Sequence, residues 1–151
     1  MWARMKKAIL WTVLLFVVTI AGIVGKQIGG ELSKPNKAET LSKLVTDAAK
    51  KLNAQAPQKL DEITTLVRAE ATTGSKLTMY YTLGNYDTYA KGFSLDAVKS
   101  AIIKKTCDQQ KSKPGNSPLA LGLTYAYVYT RENGSAIGRF EITQQDCYRP
   151  R

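Results

Sequence analysis

The alternation of apolar and polar residues changes its period several times along the chain, and each change predicts an element. The first stretch has no period at all: from Ala8 to Gly25 eighteen residues run without a charge, with Thr12 and Thr19 the only polar members. As a helix rising about 1.5 Å per residue it would span roughly 27 Å, close to a hydrocarbon core of about 30 Å. Arg4, Lys6 and Lys7 precede it, and such charges favour the cytoplasmic side. The expectation is an N-terminal signal anchor over residues 1–30 and a periplasmic domain over 31–151. A cleaved signal peptide ending near Thr19-Ile20-Ala21 is the competing reading, disfavoured by the length of the apolar run. Ala21, Gly25 and Gly29 share one helical face, a spacing that permits close helix packing in lipid; small residues also simply end membrane helices.

Beyond Pro35 the period becomes helical. Asn36 is a good N-cap with Glu39 three residues on, and Leu41, Leu44, Val45, Ala48, Ala49 and Leu52 form one stripe. The period then drops to two. Ile63, Thr65, Val67, Ala69 and Ala71 alternate with Thr64, Leu66, Arg68 and Glu70, and Leu77, Met79, Tyr81 and Leu83 alternate with Thr78, Tyr80 and Thr82. With Thr72-Thr73-Gly74-Ser75 as turn material, this predicts a β-hairpin. Gly84 to Gly92 reads as a loop carrying Tyr86 and Tyr89. A second helix starts from the N-cap Ser94 and ends near Cys107, followed by a polar loop from Asp108 to Pro118. A second hairpin runs from Leu119 to Thr130 and from Ala136 to Thr143, joined at Asn133-Gly134. Helix, hairpin, helix, hairpin predicts an α+β two-layer domain with a four-stranded antiparallel sheet behind the N-terminal transmembrane helix.

Charge narrows the partners. The chain has 22 basic and 12 acidic residues, a formal charge of +10. Residues 1–30 hold four of the basic ones, so the remaining 18 against 12 leave +6 without a concentrated basic block. That excludes an obvious nucleic-acid surface and fits mild attraction to anionic lipid or polymer. Two cysteines, Cys107 and Cys147, fall in the exported part, where an oxidising compartment favours one disulfide between them.

Chemistry is limited by inventory. The chain has no histidine, which removes Ser-His and Cys-His nucleophile pairs and imidazole metal sites. Asp61-Glu62 are neighbours that a strand points to opposite faces. No catalytic residues, no metal and no cofactor are expected. The Tyr125, Tyr127 and Tyr129 row should pack against the helices, whereas Tyr80, Tyr86 and Tyr89 are the candidate partner surface, since tyrosine offers rigid amphipathic contact area.

The segments LNAQAPQKLDEITTLVRAEA, KLTMYYTLGNY and LGLTYAYVYTRENGSAIGRFEIT, with the two cysteines, resemble a group of small exported bacterial proteins without an established activity. The resemblance covers roughly residues 52–147 and departs at Lys59-Leu60, where two bulky apolar residues are expected. It implies a bacterial, extracytoplasmic, disulfide-bridged domain and carries over no catalytic residue. Type IV pilins share the plan of apolar helix, sheet and disulfide, but the glycine, phenylalanine and glutamate of their processing signal are absent after Lys7.

The expected function is a non-catalytic accessory or interaction module, anchored in a bacterial inner membrane by a single pass, with the lipid bilayer and an envelope protein as partners. A structural subunit assembling through its membrane helix, possible also as a homo-oligomer, is the alternative, and a phage or plasmid exclusion factor a weaker one.

Overall fold

Six apolar residues at helical spacing shape the first element. In the computed structural model, which describes residues 37–72, 74–112 and 117–148, helix α1 (Lys37–Gln55) buries Leu41, Leu44, Val45, Ala48, Ala49 and Leu52. Two-residue strand β1 (Gln58–Lys59) follows a cis Ala56–Pro57 bond. Then come β2 (Thr64–Thr72), β3 (Lys76–Leu83), the single-turn α2 (Tyr86–Tyr89) with a 3-10 turn (Ala90–Gly92), α3 (Leu95–Ser112), β4 (Thr124–Arg131), β5 (Ala136–Ile142) and a 3-10 turn (Gln144–Cys147).

The sheet departs from the expectation of four antiparallel strands. It has five, in the order β1-β2-β3-β4-β5, and is mixed: β3 and β4 run parallel while the other neighbours are antiparallel. Both hairpins exist, but they are joined by a crossover. One long helix between two strands returns the chain to the end where the first strand began, so the second strand runs the same way. β1 is too short to register as a period. Leu119, Leu121 and Leu123 are buried, yet they lie in turns that precede β4 rather than in the strand. The second helix extends past Cys107 to Ser112, and the expected loop 84–92 is largely helical.

The predicted transmembrane helix, with Ala21, Gly25 and Gly29, lies outside the described residues. Among the described residues no helix is long and apolar enough to cross a membrane.

Both long helices cover the same sheet face. Leu44, Val45 and Leu52 from α1 and Val98 and Ile102 from α3 share one core with Leu66, Leu77, Met79, Tyr81, Leu83, Tyr125, Tyr127, Tyr129, Phe140 and Ile142. The approach of α3 to β5 is close enough that a Cβ at Gly138 would lie 2.5 Å from Leu95 Cδ2. The disulfide between Cys107 and Cys147 ties α3 to the C-terminal turn, with a Cα–Cα distance of 5.4 Å.

The faces of β2 also differ from the simple alternation. The register slips between Leu66 and Arg68, so Val67 is an extra residue and stands 41% exposed. A bulge inserts one residue and reverses the parity beyond it. Thr64 and Leu66 therefore face the core before the bulge and Ala69 after it, while Arg68 and Glu70 stay on the open face. Simple alternation puts Thr64 and Leu66 on one face with Arg68 and Glu70; the bulge separates them.

Candidate partner surfaces

Tyr80 lies on the open sheet face, opposite both helices. The Arg68 guanidinium carbon sits 3.7 Å from the centre of its ring, and the Tyr80 hydroxyl donates to Glu70 Oε2 at 3.0 Å. Arg68 and Glu70 are ion-paired in turn. On the other half of this face, Lys76 Nζ donates to Glu141 Oε1 at 2.7 Å and Arg139 Nη2 to the same oxygen at 3.2 Å. The Lys76 hydrogen bond, with Arg139 assisting, holds the Glu141 carboxyl below its ordinary pKa.

Tyr86 belongs to a different place. It meets Phe93 edge to face at 5.8 Å, and Phe93 lies 6.2 Å from Tyr129, which is core. Arg131 projects from the end of β4, its guanidinium carbon 5.1 Å from the Tyr86 ring and its Nη1 3.3 Å from Asp87 Oδ1. The Arg131 Nε is buried without a hydrogen-bond partner among the described residues. Tyr89 shares the short helix with Tyr86 and is half-buried. Sequence reasoning grouped the three tyrosines; the structure puts Tyr80 on the open face, Tyr86 against the core at the end of the sheet, and Tyr89 beside it in the short helix. Tyr86 is partly core, contrary to the expectation that it stands clear of it.

The Tyr125, Tyr127 and Tyr129 row is buried under the helices. Tyr127 stacks on Phe140 at 4.9 Å and on Tyr81 at 6.2 Å, and Tyr81 stacks on Tyr129 at 5.1 Å. Burial raises the pKa of all four phenols, with neighbouring tyrosines adding to it at Tyr81 and Tyr127 and the Asp61 charge at Tyr129. These hydroxyls stay neutral at any ordinary pH and serve packing.

Four residues of the LNAQAPQKLDEITT segment build one corner. The Asn53 carboxamide bonds both backbone groups of Ala69, Pro57 carries the cis bond, and Asp61 Oδ1 accepts the N–H groups of Ile63 at 2.8 Å and Thr64 at 2.6 Å. Thr64 is buried. These residues shape the entry to the sheet. Among the described residues no group of three acidic or cysteine side chains could hold a metal ion.

Phe93, Arg131, Arg139 and Glu141 escaped sequence reasoning, whereas Arg68 and Glu70 already stood together on one side of the first strand's alternation. The opposite charges two apart in Arg68-Ala69-Glu70 and Arg139-Phe140-Glu141 were the available signal, because strand residues at that spacing share a face.

Three solved structures share the fold. The chain is similar to EpsS, a type 2 secretion system pilotin from Vibrio vulnificus, at 19% identity over 76% of this chain and 97% of that one, with a TM-score of 0.59. AspS, a type II secretion system pilotin from Vibrio cholerae, matches at 19% identity over 74% and 95%, with a TM-score of 0.57. A Pseudomonas aeruginosa protein described as secreted matches at 17% identity over 76% and 99%, with a TM-score of 0.59. No family model matches the chain, and no curated protein matches it. At these identities the likeness establishes a shared fold.

Proposed function

We propose that this protein is a non-catalytic accessory of the bacterial envelope that acts as the type II secretion pilotins do, by binding a protein component of a secretion machine. The observation that carries the reading is the likeness to two pilotins over nearly the whole of their chains. The uncharged run 8–25 supports export, and a chain without histidine supports a binding rather than a catalytic role.

The end of the sheet is the surface best suited to that partner. Tyr86 and Arg131 are residue types that dominate binding hot spots, Phe93 backs the Tyr86 ring, and the partly exposed guanidinium of Arg131 can receive a carboxylate or carbonyl from a partner. Deleting the gene in its own bacterium should lower type II secretion, and the full-length chain should restore it. Tyr89→Ala and Arg131→Ala should restore it poorly while accumulating normally. Secretion unchanged by the deletion would overturn the reading.

A further inference from the structure

The open face of the sheet carries two rows that are complementary to each other. Cross-strand register sets Arg68, Tyr80, Val128 and Arg139 in one row and Glu70, Thr78, Ala126 and Glu141 in the next. The first row has cations at both ends and bulky side chains between them. The second has carboxylates at both ends and small side chains between them. Thr78 and Ala126 are only 7% and 2% exposed, so they form the floor of a shallow groove beside the Tyr80–Val128 ridge. Thr65, Thr82 and Thr130 flank the first row, and Thr72, Lys76 and Thr124 flank the second. Both long helices lie on the opposite face.

We propose that this face pairs with the same face of a second copy of the chain. A two-fold axis lying between the two rows and running across the strands places each row over the other row of the partner copy. Arg68 then meets Glu70, Tyr80 meets Thr78, Val128 meets Ala126 and Arg139 meets Glu141. Each charge of the two rows finds its opposite, Lys76 meets Thr82, and the ridge of each copy enters the groove of the other. Such self-complementarity is what an isologous interface requires. Aligned sheets pack about 10 Å apart with interdigitating side chains, which suits a ridge and groove of this depth. Four strands at about 4.8 Å spacing and four rows give on the order of 500 Å² per copy. Stable interfaces bury about 800 Å² per partner, so the pair is reversible and concentration-dependent. In the single copy each carboxylate already holds a guanidinium from its own strand; in the pair it lies between two.

Sedimentation of the full chain in mild detergent over a concentration series tests this. Arg139→Glu and Glu141→Arg each put two like-charge contacts into the pair, and each should raise the dissociation constant about tenfold or more. An equimolar mixture of the two variants should pair again, because every 139–141 contact in the mixed dimer is of opposite sign. Arg139→Gln, at a side chain 70% exposed, should weaken pairing in the same direction without a charge reversal. A full chain that stays monomeric throughout overturns the proposal. So does an oligomer that none of these changes affects, which would mean assembly through another part of the chain.

Discussion

Asn53 pairs with Ala69 as a neighbouring strand would. Its Oδ1 accepts the Ala69 N–H at 2.8 Å and its Nδ2 donates to the Ala69 carbonyl at 2.8 Å. β1 reaches only Thr65 and Leu66, so this one side chain extends the cover of the β2 edge past the bulge.

Asn53→Ala should therefore leave two backbone groups of an edge strand without those partners. The expected loss is about 1–2 kcal/mol for two partly buried hydrogen bonds, read as a lower denaturant midpoint at unchanged slope. Asn53→Asp should not rescue it, because the donor to the Ala69 carbonyl is gone. Equal midpoints for wild type and Asn53→Ala would show that water replaces the carboxamide fully.

The Cys107–Cys147 bridge closes a loop with a sequence separation of 40. In the chain-entropy model such a loop contributes about 4 kcal/mol. Cys147→Ser should lower the melting temperature by roughly ten degrees or more, and a reducing agent should do the same to the wild type. The C-terminal turn and α3 should lose amide protection first. A melt insensitive to reduction would contradict this.

Tyr127 and Tyr80 lie on opposite faces of adjacent strands, and their alanine variants should behave differently. Tyr127→Ala removes the ring between Phe140 and Tyr81 and should cost about 3–5 kcal/mol. Tyr80→Ala removes a ring that Arg68 and Glu70 hold on the open face, and should cost about 1 kcal/mol or less. Tyr86→Ala should fall between them. Denaturant titration of the three variants gives the order directly.

Stability should fall in alkali. Tyr81, Tyr125, Tyr127 and Tyr129 all have folded pKa values raised above the ordinary 10.0, chiefly by burial. Above that value the unfolded chain loses protons that the folded chain keeps, so the contribution is full below pH 10 and declines as the pH rises. With four phenols the slope approaches about 5 kcal/mol per pH unit. Tyrosinate absorbance should rise together with loss of structure. Smooth titration of all eight tyrosines without unfolding would overturn the burial of the row. Glu141 acts in the opposite direction: its depressed pKa gives stability at neutral pH that is lost as the pH drops through its folded value.

Local signals were strong enough to determine much of this protein. The stripe from Leu41 to Leu52 needed only a period of 3.6 to define α1 and its buried face, and the Leu77 to Leu83 alternation did the same for β3. Asn133-Gly134 marked the β4–β5 turn, where Gly134 adopts a φ of 84° that a side chain would resist. The absence of histidine and the two well-separated cysteines bounded the chemistry through residue inventory alone.

What tertiary structure alone decided depends on neighbours that no local period encodes. β3 and β4 are parallel because α3 carries the chain back along the sheet, and the pattern within either strand is the same for both directions. Val67 bulges where the β2–β3 register slips, and a single inserted residue turned Leu66 into core although its alternation with Val67 pointed the other way. Tyr80 and Tyr86 are six positions apart, yet the end of β3 and the short helix after it place them on different surfaces. The two complementary rows on the open face exist only because four strands align Arg68 with Arg139 and Glu70 with Glu141, residues some seventy positions apart in the chain.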